Sequence, residues 1–152
     1  MSAIVIHTVT LDMAADLAPL IAAHAQDVKR GAPRNPDIYY SEKLLTDTSA
    51  EVLGATIEGV LSGFALFFDL PEAISGMRRG YVEIIYVDHK VRGSGITRAL
   101  IDQLTRIGED RKWLDLRWHD PDQAARDKVD QIKQKSISSY TEISFPIAVA
   151  ER

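Results

Sequence analysis

Arg92, Gly93, Ser94 and Gly95 stand between an apolar, β-branched run (Tyr81 to Val87) and a segment of helical periodicity that begins at Ile96. Glycines that follow a strand let the backbone approach an anion. The first amides of the next helix then point at it with partial positive charge. The chemistry suggested is phosphate binding by Arg92, Gly93, Ser94, Gly95, Ile96, Thr97 and Arg98. Glu83 is the second reactive candidate, a carboxylate in an otherwise apolar strand. Alternation puts it on the face of Val87. A carboxylate in a half-buried strand must be paired or have a raised pKa.

Two familiar phosphate patterns fail. A P-loop needs Gly-x-x-x-x-Gly-Lys-Ser/Thr, which is absent. A dinucleotide fingerprint needs a third glycine, and "GSGITR" puts Arg98 there, where a large side chain blocks close helix–strand packing. Asp115 lies where a ribose-binding acid would, but the unit falls past the middle of the chain instead of opening it.

The elements that must position these residues are legible from periodicity. Ala3 to Leu11 alternates and reads as a strand. Asp12 stands where an N-cap should be, before Met13, Leu17, Leu20, Ile21 and His24 on one helical face. Lys29 to Asp37 is a loop broken by Gly31, Pro33 and Pro36, and Ser41 opens a short second helix. "EVLGATIEG" and "LSGFALFFDL" form a hairpin about Gly59, and Pro71 to Gly80 is the next loop. Beyond the glycines, Ile96, Leu100, Leu104 and Ile107 make an apolar stripe opposite Arg98, Asp102, Arg106 and Glu109. Trp113 to Trp118 is a strand. Asp120 N-caps a further helix with Pro121 at its first position, and the chain closes as strand. The expected order is β-α-α-β-β-β-α-β-α-β, a mixed α/β single domain over residues 1–152.

Composition narrows the function classes. With 152 residues and 45% hydrophobic content, one domain with a real core is expected. The absence of cysteine excludes disulfides, thiolate nucleophiles and cysteine-ligated metals, and fits a reducing cytoplasm. A net charge of −4 argues against nucleic acid as partner. The N-terminus lacks a basic n-region, and no apolar run is long enough for a bilayer.

A third phosphate pattern, Arg/Gln-x-x-Gly-x-Gly/Ala, is met by "RGSGIT" with Arg92 and Gly95, and with Thr97 in place of the last small residue. Here the sequence resembles the GNAT acetyltransferase superfamily. "YVEIIYVDHKVRGSGI", "GFALFF" and "IVIHTVTLDMAADL" look like stretches of its spermidine/spermine (diamine) acetyltransferase branch, with His7 where arginine is common. The resemblance implies a GNAT fold: a mixed, mostly antiparallel sheet flanked by helices and splayed between the fourth and fifth strands. It implies direct acetyl transfer from acetyl-CoA to a small primary amine, diamine or polyamine-like, in a cytoplasmic homodimer. It places the pyrophosphate at the glycine turn and the pantetheine against Ile85, Tyr86 and Val87, whose last N–H polarises the thioester. It assigns amine deprotonation to Glu83.

The same resemblance exposes a gap. The family's last helix carries a tyrosine that protonates the leaving thiolate, and the matching positions here are Asp127 or Val129, with Asp120 in place of an asparagine. Three options stay open: water, another tyrosine such as Tyr140 or Tyr86, or CoA binding without efficient transfer. The last would make the chain an acyl-CoA-binding module. The closing segment lacks a hairpin turn, has Pro146, and could exchange with a partner subunit. The acceptor side falls by resemblance on two loops. One holds Asp37, Tyr39 and Tyr40, the other Asp69 and Glu72, and Lys29, Arg30, Arg34, Arg78 and Arg79 oppose a cation there. An aminoglycoside, an amino acid or a protein N-terminus is the alternative acceptor. His119 reads as a helix-start residue.

Overall fold

The computed structural model describes residues 2–28 and 36–118. One five-stranded sheet runs in the order β1-β2-β3-β4-β5: Ile4–Thr8, Glu51–Ile57, Val60–Pro71, Arg78–Val87 and Trp113–Trp118. The first four strands are antiparallel neighbours, and β5 joins β4 in parallel. Helices α1 (Ala14–Asp27) and α2 (Ile38–Thr46) lie between β1 and β2, and α3 (Ile96–Arg111) crosses from β4 to β5. A parallel neighbour requires such a crossover. The helix from Asp120, the closing strand, Lys29, Arg30, Arg34, His119, Asp127, Val129, Tyr140 and Pro146 lie outside the described residues.

Two cores sandwich the sheet. On one face Leu17 and Leu20 of α1 pack on Val52, Phe64, Leu66 and Tyr86; on the other Ile96, Leu100 and Leu104 of α3 pack on Leu53, Ala55, Ala65, Phe67 and Val82. The predicted α3 stripe is the buried one, with Ile107 partly buried beside it. Burying a large aliphatic side chain contributes roughly 1.5–3 kcal/mol, so the two stripes fix the layers. The β2–β3 hairpin turns on Glu58 and Gly59, both at positive φ, as expected for a two-residue connection.

Several boundaries differ from expectation; β1 already ends at Thr8 instead of Leu11, and Pro71 still belongs to β3. Asp12 does not cap α1: Leu11–Met13 form a 3-10 turn, Asp12 accepts from the Thr10 hydroxyl, and Met13 precedes the helix. β4 starts at Arg78, inside the expected loop, because Arg78 and Arg79 are paired with Asp69 and Asp115. Ser41 is not an N-cap either. Asp37 opens α2 by accepting from the Tyr39 N–H at 2.9 Å. Ser41 lies one turn in, fully buried, and its single hydroxyl proton is shared between the carbonyls of Ala14 at 2.7 Å and Ile38 at 2.9 Å, joining α2 to α1. Ser41→Ala is expected to cost about 1 kcal/mol of unfolding free energy. Thr46→Ala, which removes an exposed hydroxyl bound to the Glu42 carbonyl, should leave stability within a few tenths. Urea unfolding of both variants checks this.

The far end of the sheet is closed by charge. Arg111 binds Glu51 through both amino groups at 2.7 Å and Asp69 at 3.1 Å, while Arg78 binds Asp69 at 2.5 Å. The first residues of β2 and β4, the end of β3 and the end of α3 are thereby tied together.

Candidate functional site

β4 carries the site along its length. Its pairing with β3 runs from Gly63↔Val87 to Leu66↔Ile84 and then slips by a residue to Phe67↔Val82. Glu83 is the extra residue, a β-bulge. The bulge breaks the alternation used to place Glu83, since Val82 and Ile85 both pack on the α3 side. Glu83 is exposed, not half-buried, and no ion pair or hydrogen bond engages its carboxylate among the described residues. The dilemma of a half-buried charge does not arise.

On the opposite edge, β5 pairs with β4 from Arg78↔Trp113 to Val82↔Trp118. Among the described residues, Glu83 to Val87 have no strand on that side. The Asp88 N–H donates to the Ser62 carbonyl at 2.9 Å. Antiparallel pairs alternate, so Val87 and Ile85 turn their N–H and C=O groups to the open edge while Tyr86 turns its own to β3. Of the three residues expected to offer backbone, Ile85 and Val87 have theirs on the open edge. The Tyr86 backbone belongs to the sheet, and its ring is buried against Phe64 and His24 at centroid distances of 6.2 and 5.6 Å. Burial there pushes the phenol pKa above its ordinary value.

Beyond Val87 the chain makes a compact turn. The Asp88 carboxylate accepts from the Lys90 N–H at 3.0 Å and closes a single 3-10 turn over His89–Val91. The Ser94 N–H is satisfied by the Val91 carbonyl at 3.2 Å. Gly93 and Gly95 take φ of +83° and +95°, a region L side chains avoid. A Cβ on Gly93 would meet nothing within 4 Å, and one on Gly95 only Ile4 Cδ1 at 3.9 Å, so the space over the turn is open. Gly95 caps α3, and the first intrahelical donor is the Ala99 N–H, which binds the Gly95 carbonyl at 3.0 Å. The amides of Ile96, Thr97 and Arg98 precede it and have no carbonyl within the helix to bind. Three amides at the positive end of a 16-residue helix thus lie beneath open space, a cradle that could receive an anion.

Gly63 sets the cradle's position. A Cβ there would stand 2.9 Å from Ile96 Cγ2 and 2.9 Å from the Tyr86 carbonyl oxygen. Only a glycine lets the start of α3 sit on the β3–β4 ladder. The side chain of Arg98 is half exposed and pairs loosely with Asp102 at 3.6 Å; its amide is one of the three at the helix start.

Arg92, also expected at the phosphate, is held by three neighbours. Its Nε donates to the Val87 carbonyl at 3.2 Å, its amino group binds Asp27 at the end of α1 at 2.9 Å, and its guanidinium lies over the Tyr86 ring at 5.8 Å. Asp27 also binds His89 Nε2 at 3.0 Å. Hydrogen bonding from His89, aided by Arg92, holds the Asp27 carboxyl below the usual carboxylate value. Sequence reasoning missed Asp27 and His89. The pairing spans 62 to 65 residues, and no local spacing announces it.

The expected acceptor residues are mostly committed elsewhere. Asp37 caps α2. Asp69 joins the ionic closure of the far sheet end, and Arg79 binds Asp115 at 2.5 Å. The Ser75 hydroxyl and the Ser75 and Ile74 amides bind Glu72 and pull its pKa down to about 2. Tyr39 and Tyr40 are exposed and meet edge to face at 5.4 Å. No group of three or more His, Asp or Glu side chains could hold a metal ion among the described residues, and no described helix is long and apolar enough to cross a membrane.

Comparison with known proteins bears on this arrangement. A profile described as acetyltransferase (GNAT) family matches residues 19–127. Among solved structures, a ribosomal-protein-alanine N-acetyltransferase from Brucella melitensis biovar Abortus 2308 is 42% identical, with a TM-score of 0.82 over 95% of this chain and 100% of that one. An aminoglycoside acetyltransferase from an uncultured soil metagenomic sample, solved with trehalose, is 17% identical at a TM-score of 0.82, covering 95% and 97%. An acetyltransferase from Trypanosoma brucei is 14% identical at 0.73, covering 94% and 100%. At such identities the last two speak for the fold alone. No curated protein sequence matches.

Proposed function

The chain belongs to the acetyltransferase (GNAT) family and is an N-acetyltransferase, and from that premise we propose that it transfers acetyl from acetyl-CoA directly to the α-amine of a peptide or protein that begins with alanine. The observation that carries the cosubstrate assignment is the continuous path from the open β4 edge to the α3 cradle. The 42% identity to a ribosomal-protein-alanine acetyltransferase, over that protein's whole length, supports the acceptor. It favours a peptide α-amine over the diamine suggested by the glycine-turn motif.

In this reading the amides of Ile96, Thr97 and Arg98 receive the pyrophosphate, with Gly93 and Gly95 shaping the turn around it. Ile85 and Val87 offer backbone groups to the pantetheine amides along the open edge. The Val87 N–H polarises the thioester carbonyl; one preorganised donor of that kind is worth roughly 3 kcal/mol in the barrier. Glu83, exposed at the bulge and without a partner among the described residues, takes the ammonium proton directly or through a water. The amine nitrogen then attacks the carbonyl carbon, the new C–N bond replaces the C–S bond, and the extra proton left on the attacking nitrogen passes, directly or through a water, to the departing thiolate, which leaves as CoA thiol. A chain without cysteine has no thiolate to form an acyl-enzyme.

The test is free-thiol release from acetyl-CoA with three acceptors: an alanine-initiated peptide, a diamine and an aminoglycoside. We expect the peptide's kcat/KM to exceed the other two by at least about tenfold, roughly the discrimination a single good contact supplies. A preference for the diamine restores the polyamine reading. CoA binding without turnover on any amine makes the chain an acyl-CoA-binding module.

A further inference from the structure

Arg92 is the one side-chain cation in the glycine turn, yet its charge is aimed away from the cradle. The cradle's amides begin at Ile96, which packs in the core on the α3 face. The guanidinium lies over Tyr86, which packs in the core on the α1 face. Three groups hold it there: the Val87 carbonyl, the Asp27 carboxylate and the Tyr86 ring. Asp27 is in turn fixed by His89, which belongs to the short 3-10 turn that leads into Arg92. Both ends of the segment from His89 to Arg92 are thus pinned to the last residue of α1.

We propose that Asp27 and Arg92 are a positioning pair: they hold the glycine turn against α1 so that its backbone amides are aimed before the cosubstrate arrives, and Arg92 is not a phosphate ligand. This rests on the assignment of the turn to CoA. A turn with two positive-φ glycines has many alternatives when free, and cross-links to a helix remove them. The Nε bond to the Val87 carbonyl adds a second effect, since it fixes the peptide group whose N–H end belongs to Asp88 and which ends the open edge.

The experiment measures CoA affinity calorimetrically for the wild-type protein, Asp27→Asn, Arg92→Gln and the double variant, each at low and high salt. The double variant leaves the local net charge unchanged. Both partners are partly exposed, so each single change should weaken binding modestly, by about fivefold. The double variant should lose no more than either single, because the two act as a unit. Its salt dependence should match the wild type, because no charge–phosphate contact has gone. Circular dichroism and thermal unfolding establish that the variants are folded. If Arg92 instead binds phosphate with Asp27 as its competitor, Asp27→Asn will tighten binding and Arg92→Gln will flatten the salt dependence; either result overturns the proposal. Unchanged affinity in all three variants also overturns it. Failure of the wild-type protein to bind CoA overturns the cosubstrate assignment itself, and this inference with it.

Discussion

Gly95→Val is expected to weaken CoA binding by about a hundredfold while the protein stays folded. At φ +95° a β-branched residue is a genuine outlier, so the backbone must shift. The residue is the cap of α3, and a shift there turns the amides of Ile96, Thr97 and Arg98 away from a common point. Three misdirected hydrogen bonds at about 1 kcal/mol each give the stated loss. The new side chain also enters the space the ligand needs, since only Ile4 Cδ1 comes within 4 Å of a Cβ there. Gly76→Val is the control. Gly76 has φ +71° and open surroundings but sits in the β3–β4 loop, at the opposite end of the sheet from the turn. It should cost similar stability, roughly 1–3 kcal/mol, and leave CoA affinity unchanged. Calorimetric titration of both variants separates strain from lost binding. Equal affinity in the Gly95 variant would show that phosphates are held elsewhere.

Glu83→Gln is expected to lower kcat by about a hundredfold with CoA affinity unchanged within twofold. Glutamine keeps the size and exposure of the side chain but cannot accept the ammonium proton. The bulge that displays Glu83 depends on backbone pairing, so the strand survives the substitution. The glutamate has no partner among the described residues, so nothing structural is lost with its charge. Turnover within threefold of wild type would remove Glu83 from the mechanism. Parallel measurement of kcat and of CoA binding distinguishes this loss from that of Gly95→Val, which acts on affinity.

How much of this was legible beforehand depends on whether the signal is local. The α3 stripe, the β2–β3 turn at Gly59 and the glycine turn read correctly because each is written in adjacent residues. The start of β4 did not, because Arg78 and Arg79 read as loop until their partners Asp69 and Asp115 are brought alongside. The bulge at Glu83 is invisible for a related reason: an inserted residue in a run of strand formers has no composition of its own. Its consequence was an incorrect burial for Glu83, although the residue itself was chosen on chemical grounds. Ser41 shows the reverse hazard. A residue type that favours helix starts was buried between two helices, where its hydroxyl had better acceptors. Arg92 was assigned to phosphate by its neighbours in sequence, and its neighbours in space, on α1 and β4, determine its direction.

The two tryptophans stand at opposite ends of β5. Trp113 is wedged between Gly80 and Gly108, where a Cβ on either glycine would run into its ring, at the charged end of the sheet. Trp118 pairs with Val82 at the fork where β4 loses its neighbour, one residue from Glu83. The chain therefore has a built-in optical reporter. With Trp113 replaced by Phe, emission from Trp118 alone would sample the place where, in the proposed function, thioester and amine meet.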